Sequence, residues 1–542
     1  MIDLSGIRIP LTFLDGTDEC EIACLRRASA KMLHVAEGSI ATLERTKRSI
    51  DARKRNNIQI TYAVRLFLKK GEPNAAKRCK TARISDPKPT WELPQTEEGL
   101  FDERPVVVGA GCAGLFCTLA LANAGARPIL IERGDDAERR TRAVTTFNET
   151  GVLDGESNIQ FGLGGAGTFS DGKLQTGTKS PAHRLILETL ARAGASNKIL
   201  YDAKPHIGSD VLPSVVTDIV RQIEDTGGEV RFRTRLTSLE IRDNRVRGLT
   251  VEHEGTEEHL QTNHVVLACG HSARDVFEML KASGVKLERK TFAMGVRIEH
   301  LQTDIDRALY GPSAGHPALG AAPYKLACHL DGGRSTFSFC MCPGGSVVAA
   351  ASEPGGVVTN GMSLAARDGL NANSGLLANV FPEDLPGDDV LAGIACQRQC
   401  EEAAYAAGGG SFRAPAQLVG DFLQKAPSKA WGKVAPTYPR GVTMGSIDGL
   451  LPTYITDTLR SSLPLLARKL KGFDAKDALL TGVETRSSSP VRVTRNESLE
   501  SESTQGLFPA GEGAGYAGGI MSAAADGLRV ADAVIKSARE RL

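Results

Sequence analysis

Residues 104–134, RPVVVGAGCAGLFCTLALANAGARPILIERG, restrict the fold of this chain more than any other stretch. Val106, Val107 and Val108 form a short apolar run of the kind found in strands buried on both faces, and the small residues that follow suit a helix packed closely on a sheet. A second apolar run ends at Glu132. Strand, helix and strand in this order make a right-handed crossover between parallel strands, so the chain is α/β with a Rossmann-like domain. The glycines at 109, 111 and 114 each have a physical reason. Gly109 permits the tight turn, Gly111 lets a diphosphate approach the backbone, and Gly114 lets helix and sheet pack closely. The helix N-terminus adds free N–H groups and a partial positive charge. Glu132, 23 residues after Gly109, is placed to accept from ribose hydroxyls. Ala110, Ala113 and Arg133 complete the expected contacts with a dinucleotide.

Two other segments match the same G-x-G-x-x-G spacing. One is FGLGGAGTFSDGKL (161–174), with Gly162, Gly164 and Gly167; the other lies in LFPAGEGAGYAGGI (507–520), with Gly513, Gly515 and Gly518. Neither is followed by a strand ending in an acid, and only 24 residues follow Gly518, fewer than the about 30 of a βαβ unit. They are glycine-rich turns rather than further Rossmann sites. The second sits between an apolar strand (507–510) and an alanine-rich helix, whose N-terminus can face an anion or a carbonyl.

The 542 residues leave room for roughly two to four domains. Residues 1–85 read as a small N-terminal α/β module: a strand at 6–13, an amphipathic helix at 18–33, and an alternating strand at 57–68 with Ile58, Ile60, Tyr62, Val64, Leu66 and Leu68 on one face. Residues 86–103 read as a linker, in a stretch where Pro87, Pro89, Pro94 and Pro105 oppose regular structure. The nucleotide-binding domain is expected at 104–180, and a helix (211–227) with a β-meander, turning at Asp243-Asn244, at 181–260. The return strand VVLACG (265–270) lies within 261–295, an inserted α+β substrate or cap domain occupies 296–480, and 481–542 complete the nucleotide-binding domain. With 65 basic and 64 acidic residues the net charge is +1, so no global field draws the chain to nucleic acid or a membrane. The densest basic run, TKRSIDARKR (46–55), is either a solvated face or a contact for an anion or RNA. MIDLSGIRIPLTFLDG lacks a signal-peptide pattern, and there is no run of about 18 apolar residues, so neither a signal peptide nor a membrane span is expected. Eleven cysteines without regular spacing fit a reducing compartment, and a cytoplasmic location is expected.

The glycine turn with its acid, the VVLACG return strand and the C-terminal LFPAGEGAGYAGGI segment together resemble the FAD-binding architecture of the glutathione-reductase-like flavoproteins. More narrowly, FGLGGAGTFSDGKL, SFCMCPGG (338–345), AASEPGG (350–356), TGVETRSSSPVR (481–492) and the C-terminal segment resemble the bacterial family of uncharacterised FAD-dependent dehydrogenases, over nearly the whole chain. The resemblance implies FAD, with Gly109, Gly111, Gly114 and Glu132 on its ADP half and backbone near Leu236, in the stretch 231–238, meeting the adenine. It implies that the 161–174 loop passes along the flavin, with the backbone of Gly164, Gly165, Ala166 and Thr168 near phosphate or ring and Ser170, Asp171 and Lys173 nearby. Gly270 and Gly511 join the same contact set. Related flavoproteins carry an Asp near the ribityl and pyrophosphate region, where this chain has Glu512, one methylene longer. Gly519 and Ile520, opening the last helix, would lie at the pyrimidine edge, where N–H donors stabilise negative charge on a reduced ring.

A bound flavin takes a hydride at N5, so the polypeptide need only position a donor and tune the ring. The expected function is an FAD-dependent, dehydrogenase-like oxidoreductase moving a hydride between an organic small molecule and flavin N5. The alternatives are a flavin-containing RNA-binding or RNA-modifying protein that uses 46–55, nucleic acid being the less expected partner, and a non-catalytic flavin-bound scaffold. With one credible βαβ site, NAD(P)H or another electron carrier would dock only transiently. Residues 135–200 contain no Cys, which excludes the CxxxxC disulfide reductases. The candidates for chemistry are Lys173, Cys340, Cys342, Glu484, Arg486 and Tyr516. On a regular strand Cys340 and Cys342 would face one side about 6.6 Å apart, poor for a disulfide; a buried structural pair and a substrate-side or redox role both remain open. The other four either line a substrate pocket or are satisfied structural residues, and an arginine in the pocket would suit an anionic substrate. His271 reads as a loop residue on the adenosine side. Cys20 and Cys24 lack further clustered ligands, so no metal is expected.

Overall fold

The computed structural model describes residues 1–86, 91–93 and 95–541. Of the prolines assigned to the linker region, Pro87, Pro89 and Pro94 lie outside the described residues. The alternation at 58–68 organises the N-terminal module. Ile58, Ile60, Tyr62, Val64, Leu66 and Leu68 are all buried, and the strand Gln59–Leu68 pairs antiparallel with both Ile2–Pro10 and Ile40–Asp51. The helix Asp18–Leu33 packs against this sheet, its N-terminus capped by Thr17, whose hydroxyl accepts from the Cys20 N–H. The first strand starts earlier than expected because a bulge at Leu4–Ile7, with Gly6 at φ +76°, lets it continue across the glycine. Within the basic run, Arg48 is held by Glu21 at 3.0 Å and by the Ala318 carbonyl at 2.7 Å, and Arg53 by Asp51. Two of its guanidiniums are therefore engaged within the chain.

The second unit is a five-stranded parallel sheet in the order Leu507–Pro509, Val265–Leu267, Val106–Val108, Ile129–Ile131, Glu229–Arg231. Its central strand is buried on both faces, as the valine run predicts. The helix Cys112–Asn123 runs against the last helix, Ile520–Arg541, so closely that a Cβ on Gly527 would stand 2.1 Å from the Ala113 carbonyl oxygen. The expected single meander after 229 is divided. Glu229–Arg231 joins the parallel sheet as an edge strand, Arg233 turns the chain at φ +51°, and Thr234–Arg242, Arg245–His253 and Thr256–Gln261 form a separate antiparallel sheet. Asp243 and Asn244 both take positive φ at its tight turn.

The third unit contains a seven-stranded mixed sheet in the order Ala327–His329, Ser335–Cys342, Asn371–Val380, Phe292–Leu301, Leu479–Glu484, Ala414–Leu418, Val442–Met444. Ala327–His329, Ser335–Cys342 and Val442–Met444, towards its edges, are partly exposed, whereas the central strands are buried nearly end to end, with only Leu301 escaping full burial in Phe292–Leu301. The central strands therefore lack the alternation that would have marked them in the sequence. Arg274, on a helix of the parallel-sheet unit, meets Glu401 of the helix Ala392–Ala407 at 2.8 and 2.9 Å, and Glu401 also accepts from Arg486 at 2.9 and 3.1 Å. This buried ion network fixes one unit against the other. All eleven cysteines are free thiols, and no helix among the described residues is long and apolar enough to cross a membrane.

Candidate functional site

The three glycines of the first turn serve different purposes. Gly109 has φ +100°, and a Cβ there would lie 2.6 Å from the Ala268 carbonyl oxygen; at Gly114 it would lie 1.8 Å from the Gly109 carbonyl oxygen. Those two are required by the fold. Gly111 has an ordinary φ of −75°, and a Cβ there would find the Gly165 Cα no nearer than 4.0 Å. The polypeptide's own packing does not demand a glycine at 111, whereas a group resting on the helix mouth would. No side chain caps this helix, and its first turn carries no acid.

The 161–174 loop lies over this turn. Gly164 forms a bridge with Gly111 and donates its N–H to the Ala110 carbonyl at 2.8 Å, while Thr168 Oγ1 donates to the Leu163 carbonyl. Arg140 holds the approach to the loop from beneath. It is completely buried and donates to the carbonyls of Asn158, Ile159, Gly162 and Leu163, and burial draws its pKa down to about 10. Glu132 completes the clamp: its carboxylate accepts from the N–H groups of Ala110 (2.8 Å), Gly134 (2.9 Å) and Gly162 (2.9 Å). A carboxylate offers about four acceptor positions, so one remains for a ribose hydroxyl.

Turn and loop open on a cleft of about 470 Å³ that also receives distant segments. Of the expected cofactor contacts, Gly109, Gly111, Ala113, Glu132, Arg133, Gly164, Gly165, Ala166, Asp171, Leu236, Gly270, Glu512, Gly519 and Ile520 line it. Ala110, Gly114, Thr168 and Gly511 stand behind the wall, and the Gly511 N–H donates to Asp526 at 2.9 Å. His271 also lines the cleft; burial, then nearby Arg486 and Arg274, hold its pKa down at about 3, so it is neutral. Asp171 is fully buried and takes a two-pronged contact from Arg367 of the mixed-sheet unit, which anchors the loop at its far end.

The candidates for chemistry divide. Lys173, Cys340 and Arg486 line the cleft, whereas Cys342 and Glu484 lie buried behind it. Arg486 spends its guanidinium on Glu401 and Ser352, leaving it poorly suited to meet an anionic substrate. Tyr516 lines a shallower recess beside Gly518 and Gly519; its hydroxyl accepts from the Arg495 N–H, and the Arg495 guanidinium lies 3.8 Å from its ring centroid. Tyr324, Lys325 and Asn360 complete the wall and were not anticipated, because they lie in the stretch without local periodicity. Arg140 was missed for another reason: in sequence it cannot be told from Arg139 and Arg142, whose side chains are 67% exposed. Asp526 did leave a signal, as an acid directly after the small-residue run SAAA at 522–525.

The cleft fits FAD on its own chemistry. It presents an uncapped helix N-terminus, a glycine at 111 that only an outside group requires, and glycines 270, 518 and 519 where a Cβ would meet nothing within 4 Å. It also presents the Glu512 carboxyl, whose pKa burial raises to about 7 against the opposing pull of Lys290. A raised acid stabilises the folded chain in its protonated form, so this contribution is full below about 4.5 and is lost as pH rises to about 7. In Glu512→Gln the corresponding fall in stability of the FAD-free chain should disappear, as measured by urea unfolding midpoints between pH 5 and 8.

Three family models match the chain: a domain of unknown function over residues 1–67, an FAD binding domain over 104–296, and "FAD-dependent protein, C-terminal domain-like" over 291–487. The cofactor is therefore FAD. An uncharacterized protein of Clostridium beijerinckii is 43% identical over 538 residues, covering 98% of this chain and 99% of its own. Among solved structures, a mutant of a flavin-dependent brominase aligns at 12% identity over 81% of each chain with a TM-score of 0.38. A mutant of the E. coli quinol fumarate reductase FrdA aligns at 14% identity over 81% of this chain and 71% of its own, with a TM-score of 0.37.

Proposed function

We propose, from the premise that this chain is an FAD-dependent protein and belongs to the same family as the uncharacterized Clostridium beijerinckii protein, that it is an oxidoreductase of dehydrogenase type. In this reading it moves a hydride between an organic small molecule and FAD. The observation that carries it is the convergence of the first glycine turn, the 161–174 loop, the Glu512–Ile520 segment and a wall of the mixed-sheet unit on one cleft. When bound, FAD supplies a ring that accepts a hydride at N5.

The chain's own groups do the rest. The open helix mouth at Gly111 receives the diphosphate, and Glu132 and Glu512 hold hydroxyls. The N–H groups that open the helix Ile520–Arg541 face negative charge. Tyr324, Phe339 and Met341 exclude water from the far wall, while Ser338 and Asn360 offer polar contacts beside them. A pocket of this mixed character suits a small organic substrate with both an apolar body and hydrogen-bonding groups.

The test is an anaerobic screen of the FAD-loaded protein against alcohols, amines, hydroxy acids and reduced nicotinamides, followed at the long-wavelength flavin band. At least one organic donor should bleach that band with one oxidised product per FAD. A flavin that stays oxidised with every donor class would leave the protein a flavin-bound scaffold and end this reading.

A further inference from the structure

The SFCMCPGG segment departs from the regular strand on which its cysteine spacing was judged. In the pairing of Ser335–Cys342 with Asn371–Val380, Phe339 opposes Gly375 but Cys342 opposes Asn373, so one extra residue is inserted. Cys340 takes φ +40° at this bulge. The two side chains no longer sit a flat strand repeat apart. Cys342 Sγ lies 3.2 Å from the Cys340 carbonyl oxygen. Cys340 lines the cleft, and Cys342 is fully buried behind it.

The pair sits among buried cations. Arg297, completely buried, donates to the Cys340 carbonyl at 2.8 Å, lies 3.7 Å from Cys342 Sγ and pairs with both Glu484 oxygens at 3.1 Å. Lys173 reaches the same place from the glycine loop. Its Nζ is buried without a hydrogen-bond partner, 3.5 Å from an Asp171 oxygen already engaged by Arg367. Arg297, Lys173 and Arg367 meet Glu484 and Asp171 directly, while Glu299, the further carboxyl near Arg297, is turned onto Asn371 and Thr437 and has its pKa raised by burial. Buried cations need an anion, and one thiolate shared between the two sulfurs supplies it.

We propose that Cys340 and Cys342 are a redox pair that passes two electrons to the FAD held in the same cleft, closing to a disulfide. The step breaks the one remaining S–H bond and forms one S–S bond. Two electrons and one proton leave the thiol–thiolate pair, and oxidised FAD takes up both to become the reduced anion FADH−. A neutral disulfide would remove one negative charge from beside Arg297 and Lys173, leaving Lys173 with only the Asp171 carboxylate it shares with Arg367, so this environment stabilises the reduced pair. Lys173 is a positioning residue that holds the thiolate. The proposal rests on the assignment of the cleft to FAD.

Two measurements test it. In the first, FAD-free and FAD-loaded protein are equilibrated in glutathione redox buffers, acid-quenched, unfolded in urea with iodoacetamide and mapped by peptide mass. Cys340 and Cys342 should be joined under oxidising conditions and both alkylated under reducing ones. In Lys173→Met the rate of alkylation at pH 7 should fall about tenfold and its pH midpoint should rise, the pair then facing Arg297, Asp171 and Glu484. In the second, pre-oxidised FAD-loaded protein is titrated anaerobically with dithionite. The wild type should consume four electrons per FAD and Cys340→Ser two. Cysteines that remain alkylatable in every buffer, or equal electron counts in both proteins, overturn the proposal. Failure to take up FAD, read from the absorption spectrum, overturns the cofactor assignment and the electron transfer with it; the mapping needs no FAD and tells the two failures apart.

Discussion

Gly111→Val folds as the wild-type chain does and retains no FAD. The reasoning turns on the contrast among the three glycines of one turn. At Gly111 the backbone is in a conformation any residue adopts, and the nearest atom to an added Cβ is the Gly165 Cα at 4.0 Å, so the valine branches project into the cleft at the helix mouth. The diphosphate must lie against that mouth to reach the free N–H groups, and the added methyls displace it. An affinity loss of at least about a hundredfold is expected, as read from flavin absorbance per polypeptide after dialysis, with an unchanged circular dichroism spectrum and melting temperature. Gly114→Ala should behave in the opposite way. Its Cβ would stand 1.8 Å from a carbonyl oxygen, so it should lose about 3 kcal/mol or more of stability before any effect on FAD is read. A yellow, fully loaded Gly111→Val protein would remove the FAD site from this turn.

Glu401→Gln is the second large effect, and it acts on stability. The Glu401 carboxylate is buried between Arg274 and Arg486, and although burial alone would raise its pKa, the two guanidiniums draw it down to about 2. Removing the charge leaves two buried cations undercompensated, at a cost of about 3–5 kcal/mol. The pH dependence follows from the same shift. A depressed carboxylate pKa contributes stability that is fully present above the unfolded value of about 4.5 and is lost as pH falls towards about 2, an amount of about 3 kcal/mol. Urea midpoints of the wild type should therefore fall steeply below pH 4.5, and the Glu401→Gln protein should lack that share of the slope. Identical acid slopes in the two proteins would show that the network carries no such linkage. Because Arg486 and Ser487 line the cleft, the variant should also hold FAD less tightly.

The parts of this molecule that were legible beforehand are those whose cause is local. The valine run, the glycines at 109 and 114 and the alternation from Ile58 to Leu68 each follow from steric or periodic demands within a few residues, and each stands where it was read. The segment 229–261 was legible as strands but not as two sheets, because which neighbour a strand pairs with depends on groups elsewhere in the chain. The mixed-sheet unit was opaque because its central strands are buried on both faces and so carry no period of two.

The sequence by itself determined the strand, turn, helix and acid of the proposed nucleotide site, since the left-handed backbone at Gly109 and the close packing at Gly114 admit almost nothing but glycine. Only the tertiary structure decided what the charged and sulfur-bearing residues do. Arg486 is turned onto Glu401, Arg140 underlies the carbonyls that approach the glycine loop, and Lys173 is brought into the same cleft as Cys340, which sits at a strand bulge. The physical reason is that a buried charge is governed by its desolvation and by partners distant in the chain, which come into contact only when the fold has closed.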